Sequence, residues 1–214
     1  MRLQTTRAAA RLLLWLPTLL AVPAWGADAR GAKVNFTIAG TILKVDDGDT
    51  LTLRGAGGGR LHIRLSDLDA PEIEHAHNPY RERRSCPRAA RRAPAQALGE
   101  AALAALKSRA PRKAAARAEC YTIDRYARSV CHVFVGDTNL NLAQLRDGWG
   151  MLLSKRSWVR DPDSAVAERA ARSARRGIWA AARPRSPDSW RARCPDAALC
   201  AARSPLSEIG RAHV

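Results

Sequence analysis

Apolar and polar positions alternate with a period of two along residues 33–68, which is the spacing of strands with one buried face. A turn (DDGD) and a glycine-rich loop (GAGGG) interrupt the alternation, so we predict three strands joined by two hairpin connections. The strands are NFTIAGTILKV at 35–45, TLTLR at 50–54 and RLHIRLSDL at 60–68. In the third strand Leu68 breaks the period, which predicts a bulge or bend near its end.

Helical and strand patterns both occur after residue 94. We predict a second hairpin and three helices, the last with a stop at Gly177: strands 117–124 and 128–135, helices 95–109, 140–149 and 164–179. Residues 73–94 are polar and rich in arginine, and we expect a long exposed loop there. The order of these elements predicts an α+β fold that is mainly β barrel, a five-stranded oligonucleotide-binding barrel with about three helices.

The N-terminal residues 1–29 have the pattern of a signal peptide. A basic start precedes the apolar core LLLWLPTLLAV, and small residues follow, so we expect cleavage after Gly26 or Ala29. That core is short for a membrane span, and an uncleaved anchor is the alternative. We therefore expect export to the periplasm or the medium, with no stable membrane association after cleavage.

The barrel domain is expected to span residues 33–180. Residues 181–214 are rich in Arg and Pro and have no periodic apolar face, which predicts a largely disordered tail. We hypothesise that residues 207–214 are a sequencing artefact, because the terminal IGRAHV back-translates to a common adapter sequence.

The chain carries a formal net charge of +16, with 36 Lys and Arg against 20 Asp and Glu. Loss of residues 1–29 would remove three arginines and one aspartate and leave +14, so the charge belongs to the domain. Such a balance favours polyanionic partners such as nucleic acid. The alternative is an arginine-rich genome that fills solvated surface with basic residues.

Export would place the cysteines in an oxidising compartment. Cys120 and Cys131 flank a predicted hairpin and are candidates for a disulfide, and Cys194 with Cys200 is a second candidate pair. The fifth cysteine, Cys86, leaves the number odd. A structural zinc site is not expected, because the sequence contains no C-x-x-C motif.

The turn DDGDT at 46–50 is the first candidate for chemistry. Asp49 and Thr50 leave the turn with side chains that can reach a common centre, and carboxylates on a rigid turn suit hard cations such as calcium. Taken alone, the same motif is also an ordinary hairpin turn in which Asp bonds its own backbone.

The segment RLSDLDAPE at 64–72 crowds Arg64, Asp67, Asp69 and Glu72 around the predicted bend. Repulsion among the carboxylates is costly, and a cation between Asp49 and Asp69 would relieve it. The alternative is a solvated strand end in which Arg64 pairs with an acid. For Asp67 we expect a structural ion pair or a solvent-facing position.

The hairpin DRYAR at 124–128 offers two guanidinium groups and an aromatic ring. Arg125 and Arg128 can bind phosphate in a bidentate manner, and Tyr126 gives a base a stacking face. Alone, the segment is also compatible with a charged turn that has no further role.

These segments occur in order, together with N-L-x-L-x-x-L-x-x-G-W and R-R-G-I-W, over roughly residues 37–180. In this combination the sequence resembles the staphylococcal-nuclease-like (thermonuclease) family. The resemblance implies an oligonucleotide-binding barrel that hydrolyses phosphodiester bonds of DNA and/or RNA with Ca²⁺, and we expect a monomer. A barrel that binds nucleic acid without cleaving it is the alternative.

The resemblance also implies site residues. The matching catalytic positions are Arg64, Glu72 as general base, and Arg128. The matching metal positions are Asp49, Asp69, the backbone carbonyl of Ala70, and Thr50 just outside the ligands; the substrate positions are Arg125 and Tyr126. The main departure is Ala127 where the family usually has Gly, and a positive φ there would cost about 1 kcal/mol.

Overall fold

The computed structural model describes residues 33–74 and 95–192. Its strands are β1 Phe36–Val45, β2 Thr50–Gly55, β3 Arg60–Leu65, β4 Leu68–Asp69, β5 Ala115–Ile123, β6 Ser129–Val135, β7 Thr138–Asn139 and β8 Met151–Leu152. Its α-helices are α1 Gly99–Arg109, α2 Leu140–Arg146, α3 Asp163–Ser173 and α4 Pro187–Ala192, and two short 3₁₀ turns lie at Arg156–Trp158 and Gly177–Ala180.

The main sheet has the strand order β3-β2-β1-β5-β6-β7 and is antiparallel between these neighbours. A parallel pairing between β3 and β6, with Arg64 opposite Val130, closes five of these strands into a barrel. The predicted five-stranded α+β barrel with about three helices is therefore confirmed.

The core lies inside this barrel and under the helices. Strand residues such as Leu51, Leu53 and Ile63 are completely buried, and α1 and α2 add Leu106 and Leu145. Burying a leucine or isoleucine side chain stabilises the fold by about 1.5–3 kcal/mol. The period-two pattern of the sequence thus corresponds to the inward face of the barrel.

At the bend after β3, the structure makes the third strand shorter than predicted. The strand ends at Leu65 rather than Leu68, because Asp67 adopts a left-handed backbone with φ of 71°. The chain then forms the two-residue β4, which leaves the barrel and pairs with β8. The predicted bend is confirmed, while the predicted continuation of the strand to Leu68 is wrong.

Helix boundaries also differ from the predictions. The helix predicted to begin at residue 95 begins at Gly99, since the left-handed backbone of Leu98 (φ 67°) cannot continue a helix. The helix predicted to stop at Gly177 ends at Ser173, because Arg175 has already turned to φ 51°.

The predicted disordered tail is wrong over residues 181–192. This part contains α4, whose Trp190 is buried. Most of the predicted 73–94 loop, residues 193–214, Cys86, the pair Cys194 and Cys200, and the predicted signal peptide 1–29 lie outside the described residues. Among the helices described, none has the length and apolar character needed to cross a bilayer.

Cys120 and Cys131 face each other across the β5–β6 pair and form a disulfide. The first predicted pairing is therefore confirmed. The bond joins two of the five barrel strands at a completely buried position.

Candidate active site

The DDGDT turn is held tightly against the rest of the domain. A Cβ on Gly48 would lie 2.7 Å from the Cβ of Ala70 and 2.9 Å from that of Ala102, so only glycine fits without a shift. The side-chain amide of Gln144 donates to the Gly48 carbonyl at 2.8 Å and fixes the turn from α2. The close approach brings the turn beside the end of β4.

Asp49 leaves this turn with both carboxylate oxygens engaged. Oδ2 accepts a hydrogen bond from the Ala70 backbone N–H at 2.7 Å, and Oδ1 accepts one from the Thr50 hydroxyl at 3.1 Å. Nη1 of Arg64 lies 2.5 Å from Oδ2 of Asp49, close for an ion pair but poorly angled for a hydrogen bond. Asp49 and Thr50 are both buried.

Arg64 bridges the two candidate metal carboxylates. Its Nη2 donates to Oδ1 of Asp69 at 2.8 Å while Nη1 contacts Asp49. Burial alone would lower the pKa of Arg64, but the charges of Asp49 and Asp69 raise it above its ordinary value, so the guanidinium stays charged. The pairing that the sequence left as an alternative is therefore present in the structure.

Asp47 lies in the same turn as Asp49, and its carboxyl group is perturbed by this neighbour. Burial, and after it the charge of Asp49, raise the pKa of Asp47 to about 7. Asp47 also accepts a hydrogen bond from the Asp49 backbone N–H at 2.9 Å and so orients the turn.

The donor chemistry here fits a hard cation, because the side chains of Asp49 and Asp69 offer only oxygen ligands. Within residues 33–74 and 95–192, no three His, Cys, Asp or Glu side chains converge on one point. A metal would thus depend on two carboxylates supplemented by backbone, water or substrate oxygens.

The DRYAR hairpin aims Arg128 at the same place. Asp124 accepts hydrogen bonds from the Arg128 backbone N–H (3.0 Å) and from its Nε (2.8 Å), which fixes the guanidinium. Partial burial alone would raise the pKa of Asp124, but these bonds hold it below its ordinary value. Nη1 of Arg128 reaches the Thr50 hydroxyl at 3.4 Å, and that hydroxyl donates to Asp49.

The other three residues of the hairpin, Arg125, Tyr126 and Ala127, are exposed. Tyr126 is 63% exposed, and the guanidinium groups of Arg125 and Arg128 lie 5.0 Å and 5.4 Å from its ring centre. Ala127 has a φ of 60°, the left-handed conformation that costs energy for a residue other than Gly.

Glu72 is positioned through its backbone and held through its carboxylate. Its carbonyl accepts from the Gln96 N–H at 2.8 Å, and a Cβ on Gly99 would lie 2.1 Å from that carbonyl oxygen, so the start of α1 packs directly on it. Its Oε1 accepts from Nη1 of Arg191 at 2.6 Å. Arg191 also binds both oxygens of Asp69 and so links Glu72 to Asp69.

Asp67 lies apart from this network and is completely buried. Its oxygens accept hydrogen bonds from the backbone N–H groups of Arg160 (2.8 Å) and Asp161 (2.9 Å), from the Ser164 hydroxyl (2.8 Å) and from His132 Nε2 (3.1 Å). The predicted solvent-facing position is wrong, and the structural pairing is found with His132.

The structure thus brings six predicted residues into one connected network: Arg128, Thr50, Asp49, Arg64, Asp69 and Glu72. Ala70 joins through its N–H, while Arg125 and Tyr126 stay on the adjoining hairpin. Sequence reasoning missed Asp124 and Arg191. Asp124 could have been found, since an Asp that opens a short turn commonly binds the N–H groups that follow.

A groove of about 700 Å³ lies on the side of the domain formed by residue 151 and residues 172–189. Its walls include Met151, which pairs with Asp69 across β4 and β8, and it is lined further by Arg172, Trp179, Arg183 and Arg185. Basic side chains beside an aromatic ring suit the phosphates and bases of a single strand.

The fold and the site together define a class: a barrel of the oligonucleotide-binding type with arginines and carboxylates joined at one end. Residues 62–181 match the family described as staphylococcal nuclease homologue, which is more than half of the chain. The chain belongs to the staphylococcal nuclease homologue family.

A Haemophilus influenzae protein described as an uncharacterized endonuclease is 27% identical over 150 residues, which cover 70% of this chain and 71% of that protein. The family match and this relative support a nuclease acting on nucleic acid. The family is typically metal-dependent.

Proposed function

We propose that this protein is an exported, calcium-dependent nuclease that hydrolyses phosphodiester bonds of DNA and/or RNA. The observation that carries the proposal is the connected network in which Arg64 and Arg128 approach Asp49 from two different strand ends, with Asp69 and Glu72 beside them. Two guanidinium groups linked to three carboxylates in one network match the needs of phosphoryl chemistry.

In this proposal Asp49 and Asp69 hold the cation together with the backbone carbonyl of Ala70, and Thr50 orients Asp49. When bound, calcium supplies a Lewis acid and a template for the phosphate. The Thr50 hydroxyl already donates to Asp49 at 3.1 Å, which supports its role beside the ligands rather than among them.

Glu72 accepts a proton from the attacking water. Arg64 and Arg128 donate hydrogen bonds to the phosphate oxygens as negative charge builds on them. Arg125 and Tyr126 contact the phosphate and base on the adjoining hairpin, and the arginine-lined groove receives the neighbouring nucleotides. The net charge of +16 concentrates the polyanionic substrate at low salt.

Export is supported by the disulfide between Cys120 and Cys131, since such bonds persist in oxidising compartments. We expect the mature protein to act as a monomer in the periplasm or the medium.

One assay tests the proposal. The mature protein is incubated with single-stranded DNA or RNA in calcium, with and without chelator, beside Glu72→Gln. Glu100→Gln, which changes an exposed glutamate of α1, is the matched control. We expect cleavage only by wild type and the control in calcium. Undiminished cleavage in chelator or by Glu72→Gln would overturn the mechanism, and binding without cleavage by wild type would favour a non-catalytic barrel.

A further inference from the structure

Arg191 makes a fork-like contact with two carboxylates of the candidate site. Its Nη2 lies 2.5 Å from Oδ2 of Asp69, and its Nη1 lies 3.1 Å from Oδ1 of Asp69 and 2.6 Å from Oε1 of Glu72. The guanidinium thus engages both oxygens of a predicted metal ligand and one oxygen of the predicted general base.

The segment that carries Arg191 is anchored beside the site. Trp190 is 7% exposed, and the backbone carbonyl of Arg185 accepts a hydrogen bond from the Gln96 side chain at 2.8 Å. Gln96 also accepts from the Glu72 backbone N–H through its Oε1. Glu72 and the segment that carries Arg191 therefore both bind Gln96, which places the Arg191 guanidinium beside the carboxylates of Asp69 and Glu72.

A cation that binds Asp69 needs oxygen lone pairs that two guanidinium groups already use. Arg64 contacts both Asp49 and Asp69 from within the barrel wall, whereas Arg191 stands on a helix of six residues outside it. Displacement of Arg191 from Asp69 should therefore cost less free energy than displacement of Arg64. Burial alone would lower the pKa of Arg191, but Asp69 and Glu72 raise it above its ordinary value, so deprotonation does not release it.

We propose that Arg191 is a built-in competitor of the metal, which occupies the cation position at Asp69 and Glu72 until calcium displaces it. The inference rests on the metal site of the proposed function. Its consequence is that α4 sets the calcium concentration at which Asp69 becomes a ligand and Glu72 becomes available to water.

The first test measures calcium affinity by titration calorimetry on the full chain without nucleic acid. We expect Arg191→Gln to bind calcium about 10-fold more tightly than wild type, within the range of typical coupling between sites. Arg169→Gln is the matched control, because Arg169 is an exposed arginine of α3 that lines neither the candidate site nor the groove. Equal or weaker calcium binding by Arg191→Gln would overturn the proposal.

The second test uses wild type alone and so does not depend on a variant that folds. Coupling between two sites is reciprocal, so calcium must weaken the hold of Arg191 on Asp69. We expect calcium to accelerate amide hydrogen exchange in residues 187–192. Unchanged protection there at saturating calcium would contradict the proposal.

These measurements separate this inference from the nuclease function. Tighter calcium binding by Arg191→Gln with no cleavage by wild type would support Arg191 as a competitor of calcium and would reject the proposed nuclease function. Calcium-dependent cleavage by wild type, with equal calcium affinities of wild type and Arg191→Gln, would reject only the role of Arg191 as a competitor. Absence of calcium binding by both proteins would reject the competitor and the calcium mechanism together.

Discussion

Arg64 and Asp69 lie on opposite sides of a sharp bend, and Nη2 of Arg64 is 2.8 Å from Oδ1 of Asp69. The left-handed backbone of Asp67 between them turns β4 out of the barrel. The side chain of Asp69 on β4 thereby comes back into contact with Arg64 on β3. The bend is therefore what allows an arginine and a carboxylate only five positions apart to meet at one site.

We expect Arg64→Lys to lower the rate of nucleic-acid cleavage on the order of 100-fold. Lysine keeps the positive charge but has no planar fork, so it cannot contact Asp49, Asp69 and a phosphate together. Steady-state kinetics against Arg60→Lys, an exposed arginine at the start of the same strand, checks this. A rate for Arg64→Lys near that of wild type would remove the residue from the mechanism.

Tyr126→Ala should raise KM for single-stranded substrate by about 5- to 100-fold, the range expected for loss of one base-stacking platform. Tyr126→Phe should remain near wild type, because the ring face is kept. Ile123→Ala removes an equally exposed apolar side chain from the neighbouring strand and serves as control. Equal KM values for Tyr126→Ala and this control would argue against stacking.

Asp67→Asn should lower the free energy of unfolding by about 2–4 kcal/mol, because its amide NH₂ would face groups that donate hydrogen bonds. Urea unfolding measures the change. The exposed Asp137→Asn should stay within about 0.5 kcal/mol of wild type. A similar small change at Asp67 would show that its hydrogen bonds contribute little.

The effect at Asp67 should depend on pH. Burial alone would raise the pKa of Asp67, but the hydrogen bonds from His132 and Ser66 lower it below its ordinary value. A carboxylate with a lowered pKa stabilises the fold above its unfolded pKa of about 3.9, and that stabilisation is lost as the pH falls through the folded pKa. The difference between wild type and Asp67→Asn should therefore be largest near neutral pH and shrink in acid.

Ala127→Gly should stabilise the protein by about 0.5 kcal/mol, because relief of the left-handed strain exceeds the added freedom of the unfolded chain. Gly58→Ala is the reciprocal control. Gly58 has a φ of 82° with open space around it, so the alanine should destabilise by about 1 kcal/mol through the backbone alone. Thermal unfolding that ranks Ala127→Gly below wild type would show that the turn is not strained.

The barrel could be predicted because its strands follow a local rule, the alternation that buries residues such as Leu51 and Ile63. The start of α1 could not, since the left-handed turn at Leu98 is imposed by the packing of Gly99 on the Glu72 backbone. Burial of Asp67 was equally hidden, because four of its partners lie 65 to 97 positions further along the chain: His132, Arg160, Asp161 and Ser164.

In the candidate site, too, residues placed by local sequence patterns could be predicted, and residues placed by tertiary contacts could not. Charged residues in DDGDT, RLSDLDAPE and DRYAR could be grouped because each motif is compact and the strand order brings their ends together. Arg191 had no such signal, since it is one arginine among many in a segment without an apolar period. Its place depends on the burial of Trp190 and on Gln96, which are tertiary contacts.

The parallel pairing of β3 with β6 also has a consequence for folding kinetics. It joins Arg64 to the strand that follows Arg128, across more than 60 residues of intervening chain. Pairings of such long sequence separation form late, because the loop must close before the contact is gained. Recovery of cleavage after dilution from denaturant should therefore lag behind formation of the β5–β6 hairpin, because the site also needs the long-range pairings of β3 with β6 and of β1 with β5.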